Sequence, residues 1–173
     1  MPAALAIRRY RPADAGRVRE LDTVTMDATD AFGNSVPTVE PDRIPAEYAE
    51  AGGNFLVGEI AGRIVAMGAF RPAAGYMTDL VDEPADTTAE IKWLRIAPAH
   101  QRRGHGGALC ATLEARARKR GFADVVLDTN PEQRGARRLY AKRGFEEVGH
   151  ERVETDSDSF ETVVYRKSLA ENQ

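Results

Sequence analysis

The chain has 173 residues, a formal net charge of −3 and a hydrophobic share of 42%, which suits one domain over residues 1–173 with a core of its own. Its single cysteine excludes an internal disulfide framework, and the negative net charge predicts no nucleic-acid partner. No apolar run approaches the roughly 20 residues that span a bilayer, so we expect no membrane partner.

The N-terminal third of the chain predicts a strand, two helices and a turn-rich segment. The first residues lack the length and the charged start of a signal peptide, which predicts a cytoplasmic protein. Residues 5–8 form the strand, and Asp14 is the expected N-cap of a helix over residues 15–27. Residues 29–41 are rich in turn formers, and residues 42–51 fit a second helix.

A hairpin and a long loop occupy the middle of the chain. Residues 55–60 and 64–70 are apolar and are joined by a tight turn at 61–63, which predicts the hairpin. Residues 73–88 then form a loop that becomes acidic toward its end. Because loops of this length are uncommon in compact domains, we expect a functional role for it.

A parallel crossover follows the loop. It begins with an apolar strand over residues 90–96, continues with a helical pattern over 106–120 and ends with a second apolar strand over 123–129. Strand, helix and strand at this spacing predict two parallel neighbours joined by a right-handed connection.

The end of the chain predicts one more helix and a closing hairpin. Asn130 is the expected cap and Pro131 the first position of a helix that stops at Gly144. Residues 145–153 and 160–169 form the two strands of the hairpin.

A glycine-rich turn joins the first crossover strand to its helix. Glycines let backbone N–H groups approach an anion, the helix N-terminus adds partial positive charge, and arginines add full charges. The turn therefore predicts a phosphate site. It comprises Gln101, Arg102, Arg103, Gly104, His105, Gly106 and Gly107.

Three glycine motifs compete for this turn. The dinucleotide fingerprint Gly-x-Gly-x-x-Gly fails because Leu109 stands at its last glycine, and only Asp128 offers an acid near the required spacing. A Walker A loop needs Gly-Lys-Ser/Thr, which is missing. The pattern Arg/Gln-x-x-Gly-x-Gly/Ala is met in full by Gln101, Gly104 and Gly106.

In this context the third pattern resembles the GNAT superfamily of acetyl-CoA-dependent N-acetyltransferases. The resemblance extends from the strand at 90–96 to the pairs Leu139-Tyr140 and Gly144-Phe145, and the element order agrees over nearly the whole chain. It implies an α/β GNAT fold with a mixed sheet of about seven strands and about four helices. The sheet would begin and end antiparallel, with the parallel crossover in its middle and a bulged fourth strand that splays from the fifth.

The resemblance also implies acetyl-CoA as the co-substrate. Residues 101–107 would bind its pyrophosphate through backbone N–H groups, with Arg102 and Arg103 available to pair with phosphates. The backbone of Leu94 and Ile96 would follow the pantetheine arm, as an added strand would. Members of the family often have Asn where Gln133 stands, and Asn130 is the nearby substitute that we assign to cofactor binding.

Two residues are predicted to carry the chemistry. Tyr140, within the Leu-Tyr and Gly-Phe pattern, would protonate the departing thiolate, although the residue type alone favours a core tyrosine. Glu90 would accept the proton of the amine, directly or through water, with an exposed charge at a strand start as the alternative. Substitutes for Glu90 in the preceding loop are Asp79, Asp82 and Glu83.

The expected acceptor is a primary amine on a small molecule or a peptide. The acidic stretches 79–90 and 154–161 would attract a cationic amine. His and Cys residues show no metal spacing, so we expect no metal. Dimers are common in the family, so a homodimer is an expectation. The alternative function is a non-catalytic acyl-CoA-binding regulatory module on the same fold.

Overall fold

A computed structural model describes residues 4–27, 39–81, 86–154 and 159–169. One seven-stranded sheet organises them, in the order β1-β2-β3-β4-β5-β7-β6, so β1 and β6 are its edges. Only β4 and β5 pair in parallel. This is the predicted mixed sheet. The strands are β1 Ala6–Arg9, β2 Asn54–Ile60, β3 Arg63–Pro72, β4 Thr88–Ile96, β5 Asp124–Thr129, β6 Glu146–Glu154 and β7 Ser159–Ser168.

Helices cover both faces of this sheet. Leu109, Leu113 and Tyr140 of α3 and α4 share one buried cluster with the sheet, and Val18 and Leu21 of α1 share another on the opposite face. We call these the α3 face and the α1 face. The helices are α1 Ala15–Asp27, α2 Met77–Leu80, α3 His105–Lys119 and α4 Arg134–Lys142.

The predicted second helix over residues 42–51 is present as a helical segment over residues 41–49, but it is not a regular α-helix. A 3-10 turn at Pro41–Arg43 is followed by a π-helical turn at Pro45–Ala49. Pro45 has no N–H to donate, so an α-helix cannot run through it with its bonds intact. Most of the predicted turn segment 29–41 lies outside the described residues.

The predicted cap at Asp14 is wrong. Asp14 ends a 3-10 turn at Pro12–Asp14, and its carboxylate accepts the Arg11 N–H at 2.8 Å. The same carboxylate pairs with Arg8 at 2.8 Å, and that hydrogen bond holds the pKa of Asp14 below its usual range. The N-cap of this helical segment is Arg11, and Asp14 is the third residue after it.

The final helix begins later than predicted. α4 starts at Arg134, because Asn130 Oδ1 accepts the Glu132 N–H at 2.8 Å and so closes a local turn instead of capping a helix. The predicted loop 73–88 contains the short helix α2, and its acids Asp82 and Glu83 lie outside the described residues.

A buried ion cluster ties the two α3-face helices to β7. Glu114 of α3 has a side chain only 3% exposed and contacts Arg143 Nη2 at 3.0 Å. Its other oxygen pairs with Lys167 Nζ at 2.5 Å. One carboxylate therefore offsets two cations, Arg143 directly after α4 and Lys167 on β7.

We expect Glu114→Gln to lower the free energy of unfolding by about 2 kcal/mol, since it leaves two partly buried cations without their anion. Chemical denaturation measures the change. Glu132→Gln removes a carboxylate from an exposed position and is the matched control, expected within about 0.5 kcal/mol of the parent. Equal effects of the two substitutions would contradict the role given to Glu114.

Candidate active site

A bulge in β4 shapes the centre of the sheet. Met67 pairs with Arg95 and Ala69 with Lys92, so Gly68 alone faces the two residues Trp93 and Leu94. Trp93 has φ +60, which is rare for a bulky residue and marks the bulge as a constrained feature.

The bulge shifts the alternation of β4 by one residue. Ala89 and Ile91 belong to the α3-face cluster before it, and Leu94 and Ile96 pack against that cluster after it. Trp93 packs instead against the α1-face cluster. The odd-numbered residues therefore face α3 before the bulge and the even-numbered residues after it.

Beyond its third residue β4 separates from β5. The two strands pair in parallel only from Thr88–Glu90 to Asp124–Val126 within the described residues. We call the gap beyond the pair of Glu90 and Val126 the slot, and that pair its vertex. The backbone of Leu94 and Ile96 lies on the β4 side of the slot, while their side chains are half-buried against the α3-face core.

The glycine-rich turn lies at the start of α3. Gly104 is the N-cap, with φ +86 and no side-chain cap, and its carbonyl accepts the first helical bond from Ala108 N at 3.1 Å. The N–H groups of residues 105–107 precede that bond, so they are the donors that a helix start leaves for an anion. A phosphate fits this start, because the cap position offers no competing acceptor side chain.

The side chains of the turn divide between solvent and the protein. Arg102 and Arg103 are exposed, and Arg102 has φ +62. Gln101 Nε2 donates to the Ile96 carbonyl at 3.0 Å, so this side chain fastens the turn to β4. The His105 ring is half-buried beside His100, with 6.4 Å between ring centroids.

Two glycines let α3 approach α4. A Cβ at Gly106 would lie 3.3 Å from Leu139 Cδ2, and one at Gly107 would lie 3.7 Å from Leu139 Cδ1. Larger residues at these positions would push α4 away from the helix start. Leu139 of the Leu139-Tyr140 pair is thereby held against the start of α3.

Tyr140 is a buried side chain of α4. Its ring contacts Phe145 and Tyr165 edge-on or tilted, at 5.7 and 5.6 Å between centroids, and 6% of the residue is exposed. Burial raises the pKa of Tyr140 well above its usual range, and the charges of Arg95 and Asp128 also act on it. No hydrogen bond among the described residues occupies its hydroxyl. The hydroxyl therefore stays protonated at neutral pH.

Glu90 is 1% exposed and lies at the vertex of the slot. The alternative of an exposed strand-start charge is wrong, because Glu90 is the third residue of β4 and covered by the loop after β3. Its Oε1 lies 3.4 Å from Ala74 N and 3.7 Å from Arg71 Nε. Burial raises the pKa of Glu90, against the opposite effects of Lys92 and Arg71.

A polar group beside the vertex was not predicted from the sequence. Asp128 Oδ2 accepts hydrogen bonds from Tyr76 Oη at 2.8 Å and from Thr162 Oγ1 at 2.7 Å. The charge of Asp128 acts on the pKa of both Glu90 and Tyr140. The available signal was its place at the carboxyl end of a crossover strand, where parallel sheets gather functional side chains.

Aromatic and charged side chains continue along the α1 face. The Trp93 indole N–H donates to Tyr48 Oη, and Arg71 lies over the Tyr48 ring at 5.5 Å. Buried Asp22 of α1 accepts from Arg95 Nε at 3.2 Å and from Val39 N at 2.9 Å. These contacts fix the β4 residues next to the bulge.

Other predicted acids lie away from the vertex or outside the described chain. Asp79 is exposed on α2.

Within the described ranges, no group of three or more His, Cys, Asp or Glu side chains could hold a metal ion. Among the helices of the same ranges, none has the length and apolar character to cross a membrane.

We expect Gly104→Ala to lower the free energy of unfolding by about 1 kcal/mol, because an alanine at φ +86 pays the left-handed backbone cost. The matched control is Gly135→Ala in α4, where a Cβ also meets open space. In that helical position alanine should stabilise by up to about 1 kcal/mol. Denaturant unfolding of both variants checks the opposite signs, and two stabilising changes would contradict the constrained turn.

Comparison with known proteins identifies the family. The family model described as Acetyltransferase (GNAT) family matches residues 21–145. Rat N-acetyltransferase 8F1 is 33% identical over 108 residues, which are 61% of this chain and 45% of the rat protein. Mouse N-acetyltransferase 8 is 34% identical over 105 residues, covering 60% and 43%. The chain thus spans less than half the length of these relatives.

Solved structures agree in fold. The yncA protein of Salmonella typhimurium, described as an acetyltransferase and solved with its cofactor acetyl-CoA, has a TM-score of 0.75 at 23% identity and covers 98% of this chain and 96% of its own. The Escherichia coli ribosomal-protein-S18-alanine N-acetyltransferase has a TM-score of 0.72 at 16% identity and covers 98% and 97%. They confirm the predicted GNAT fold, and with the family match they show that the chain belongs to the acetyltransferase (GNAT) family.

Proposed function

We propose that this protein is an N-acetyltransferase that moves an acetyl group from acetyl-CoA directly to a primary amine. The observation that carries the proposal is the pair of buried groups at the slot. A carboxylate with a raised pKa, Glu90, lies at its vertex, and a protonated hydroxyl, Tyr140, lies on the α4 side. The family and the acetyl-CoA bound to yncA support the choice of donor.

Three features fit acetyl-CoA. The uncapped start of α3 offers backbone N–H groups to a pyrophosphate, and Arg102 and Arg103 add positive charge beside it. The β4 backbone along the slot is available to an extended pantetheine arm. Asn130 follows the β5 end of the slot and remains our assignment for a pantetheine contact.

The chemistry follows from proton positions. An ammonium is not nucleophilic until it loses a proton, and Glu90 would accept it directly or through water. The free amine then attacks the thioester carbon, the C–S bond breaks, and the electron pair leaves with sulfur. Tyr140 would give its proton to that thiolate or hold it by a hydrogen bond. A backbone N–H of β4 near Leu94 would polarise the acetyl oxygen.

The state of the single cysteine supports direct transfer. Cys110 is buried on α3, and burial raises its pKa to about 12, so it carries no thiolate that could take the acetyl group. Holding the donor and the amine together in one site supplies much of the rate by proximity.

Glu90→Gln keeps the size of the side chain and removes the base. We expect kcat/KM for the amine to fall at least about 100-fold, with acetyl-CoA affinity unchanged. Steady-state CoA release and calorimetric titration measure the two. Glu151→Gln on exposed β6 is the matched control and should keep full activity.

The same variant tests the pH dependence. Since burial raises the pKa of Glu90, the acid limb of kcat/KM should lie above the ordinary value of about 4.3. Stability should also fall as pH rises from that ordinary value through the raised one, because the folded state disfavours the ionised form. Glu90→Gln should remove this fall, and an unchanged pH profile would count against Glu90.

The activity itself is tested by CoA release with a panel of primary amines. The wild-type protein should turn over at least one of them. We expect Tyr140→Phe to lower kcat about 10- to 100-fold at unchanged acetyl-CoA affinity, because the thiolate loses its proton donor. Tyr10→Phe, after edge strand β1, is the control. Tight acetyl-CoA binding without any turnover would point instead to a non-catalytic acyl-CoA-binding module.

A further inference from the structure

The vertex of the slot carries positive as well as negative side chains on the α1 face. Arg71 is the register partner of Glu90 on β3, and Lys92 lies two residues further along β4. Residues two apart on a strand share a face and are separated by roughly 7 Å. Lys92 and Arg71 are accordingly the two cations that act on the pKa of Glu90.

Lys92 is a half-buried cation without an ion pair among the described residues. Its contact there is with the face of Trp93, 5.3 Å from the ring centroid, beside the bulge that opens the slot. An ammonium held against an indole face next to a buried site retains its capacity to pair with an anion. The bulge thus presents Lys92 at the β4 side of the vertex.

Arg71 is held loosely. Its buried Nε has no hydrogen-bond partner, and its carboxylate contacts, to Glu90 and Glu47, are 3.7 and 3.9 Å long. Its guanidinium stacks over the Tyr48 ring, and 18% of its side chain is exposed. No close bidentate pair satisfies this guanidinium within the described chain, so positive potential remains beside the base.

The negative groups occupy the other side of the vertex. Asp128 on β5 uses Oδ2 for the hydroxyls of Tyr76 and Thr162, while no hydrogen bond among the described residues uses its Oδ1. Glu90 has Arg71 opposite it on β3 and Lys92 two residues further along β4, and the charge of Asp128 on β5 also acts on its pKa. Carboxylates of β4 and β5 and cations of β3 and β4 are therefore all within electrostatic reach of the vertex.

We propose that the acceptor is an amino acid with a free carboxylate close to the amine that is acetylated. The carboxylate pairs with Lys92, and Arg71 adds attraction, while the amine lies at Glu90 and Asp128. A simple alkyl amine or an internal lysine of a protein would leave Lys92 without an anion. The inference rests on the proposed acetyl transfer and names its acceptor class.

Matched acceptors test the proposal. The free acids are glycine, alanine, phenylalanine and glutamate. Each is compared with its carboxamide and with the corresponding amine that lacks the carboxyl group. CoA release measures the rates, which are corrected for the ionised fraction of each amine. We expect at least one free acid to exceed its carboxamide and its decarboxylated analogue at least tenfold in kcat/KM. Lys92→Met should lower kcat/KM for that acid at least tenfold more than kcat/KM for its carboxamide, because the effect of Lys92 on the pKa of Glu90 is common to both substrates.

The control is Lys119→Met at the exposed end of α3, which should leave the preference intact. The acceptor assignment would be overturned if carboxamides were accepted as well as the free acids. It would also be overturned if Lys92→Met affected the free acids and the carboxamides equally. Either result would leave the proposed acetyl transfer unaffected. No CoA release from any amine would overturn the acetyl transfer and the acceptor assignment together.

Discussion

One constraint on the backbone determines the rest of the molecule: β4 cannot follow β5 past its third residue. The bulge at Trp93 and Leu94 adds one residue opposite Gly68, turns the strand and ends the parallel pairing at Glu90. A slot opens in the middle of a sheet that is otherwise fully paired. The buried carboxylate of Glu90 lies at its vertex, and the chain leads from the end of β4 to the uncapped start of α3.

The sheet also separates two chemical environments. The α3 face is apolar around the slot, and there the Tyr140 hydroxyl is kept protonated by burial. The α1 face carries ionised groups, and each buried carboxylate there has partners: Asp22 has Arg95, and Glu90 has Arg71 and a backbone N–H. Charges buried without partners would be too costly to retain, so these contacts allow a carboxylate to be buried under a loop.

Local sequence signals predicted most of the fold and the place of the glycine-rich turn in it. The glycine turn, the strand before it and the crossover are encoded by adjacent residues, and the structure has them. Asp128 and Lys92 escaped prediction because their role depends on which strands pair and where pairing stops. A signal existed: apolar residues at 89, 91, 94 and 96 change phase midway, as a bulge requires. The misplaced helix start at Asn130 arose because one side chain can cap a helix or close a turn equally well.

The outer edge of the sheet has a consequence for self-association. β6 is an edge strand, and its residues are mostly exposed. It carries the four carboxylates of Glu146, Glu147, Glu151 and Glu154 against one arginine, Arg152. If two copies joined these edges into a continuous sheet, like charges would stand opposite each other across the new ladder. The acidic edge therefore disfavours association of two copies through β6.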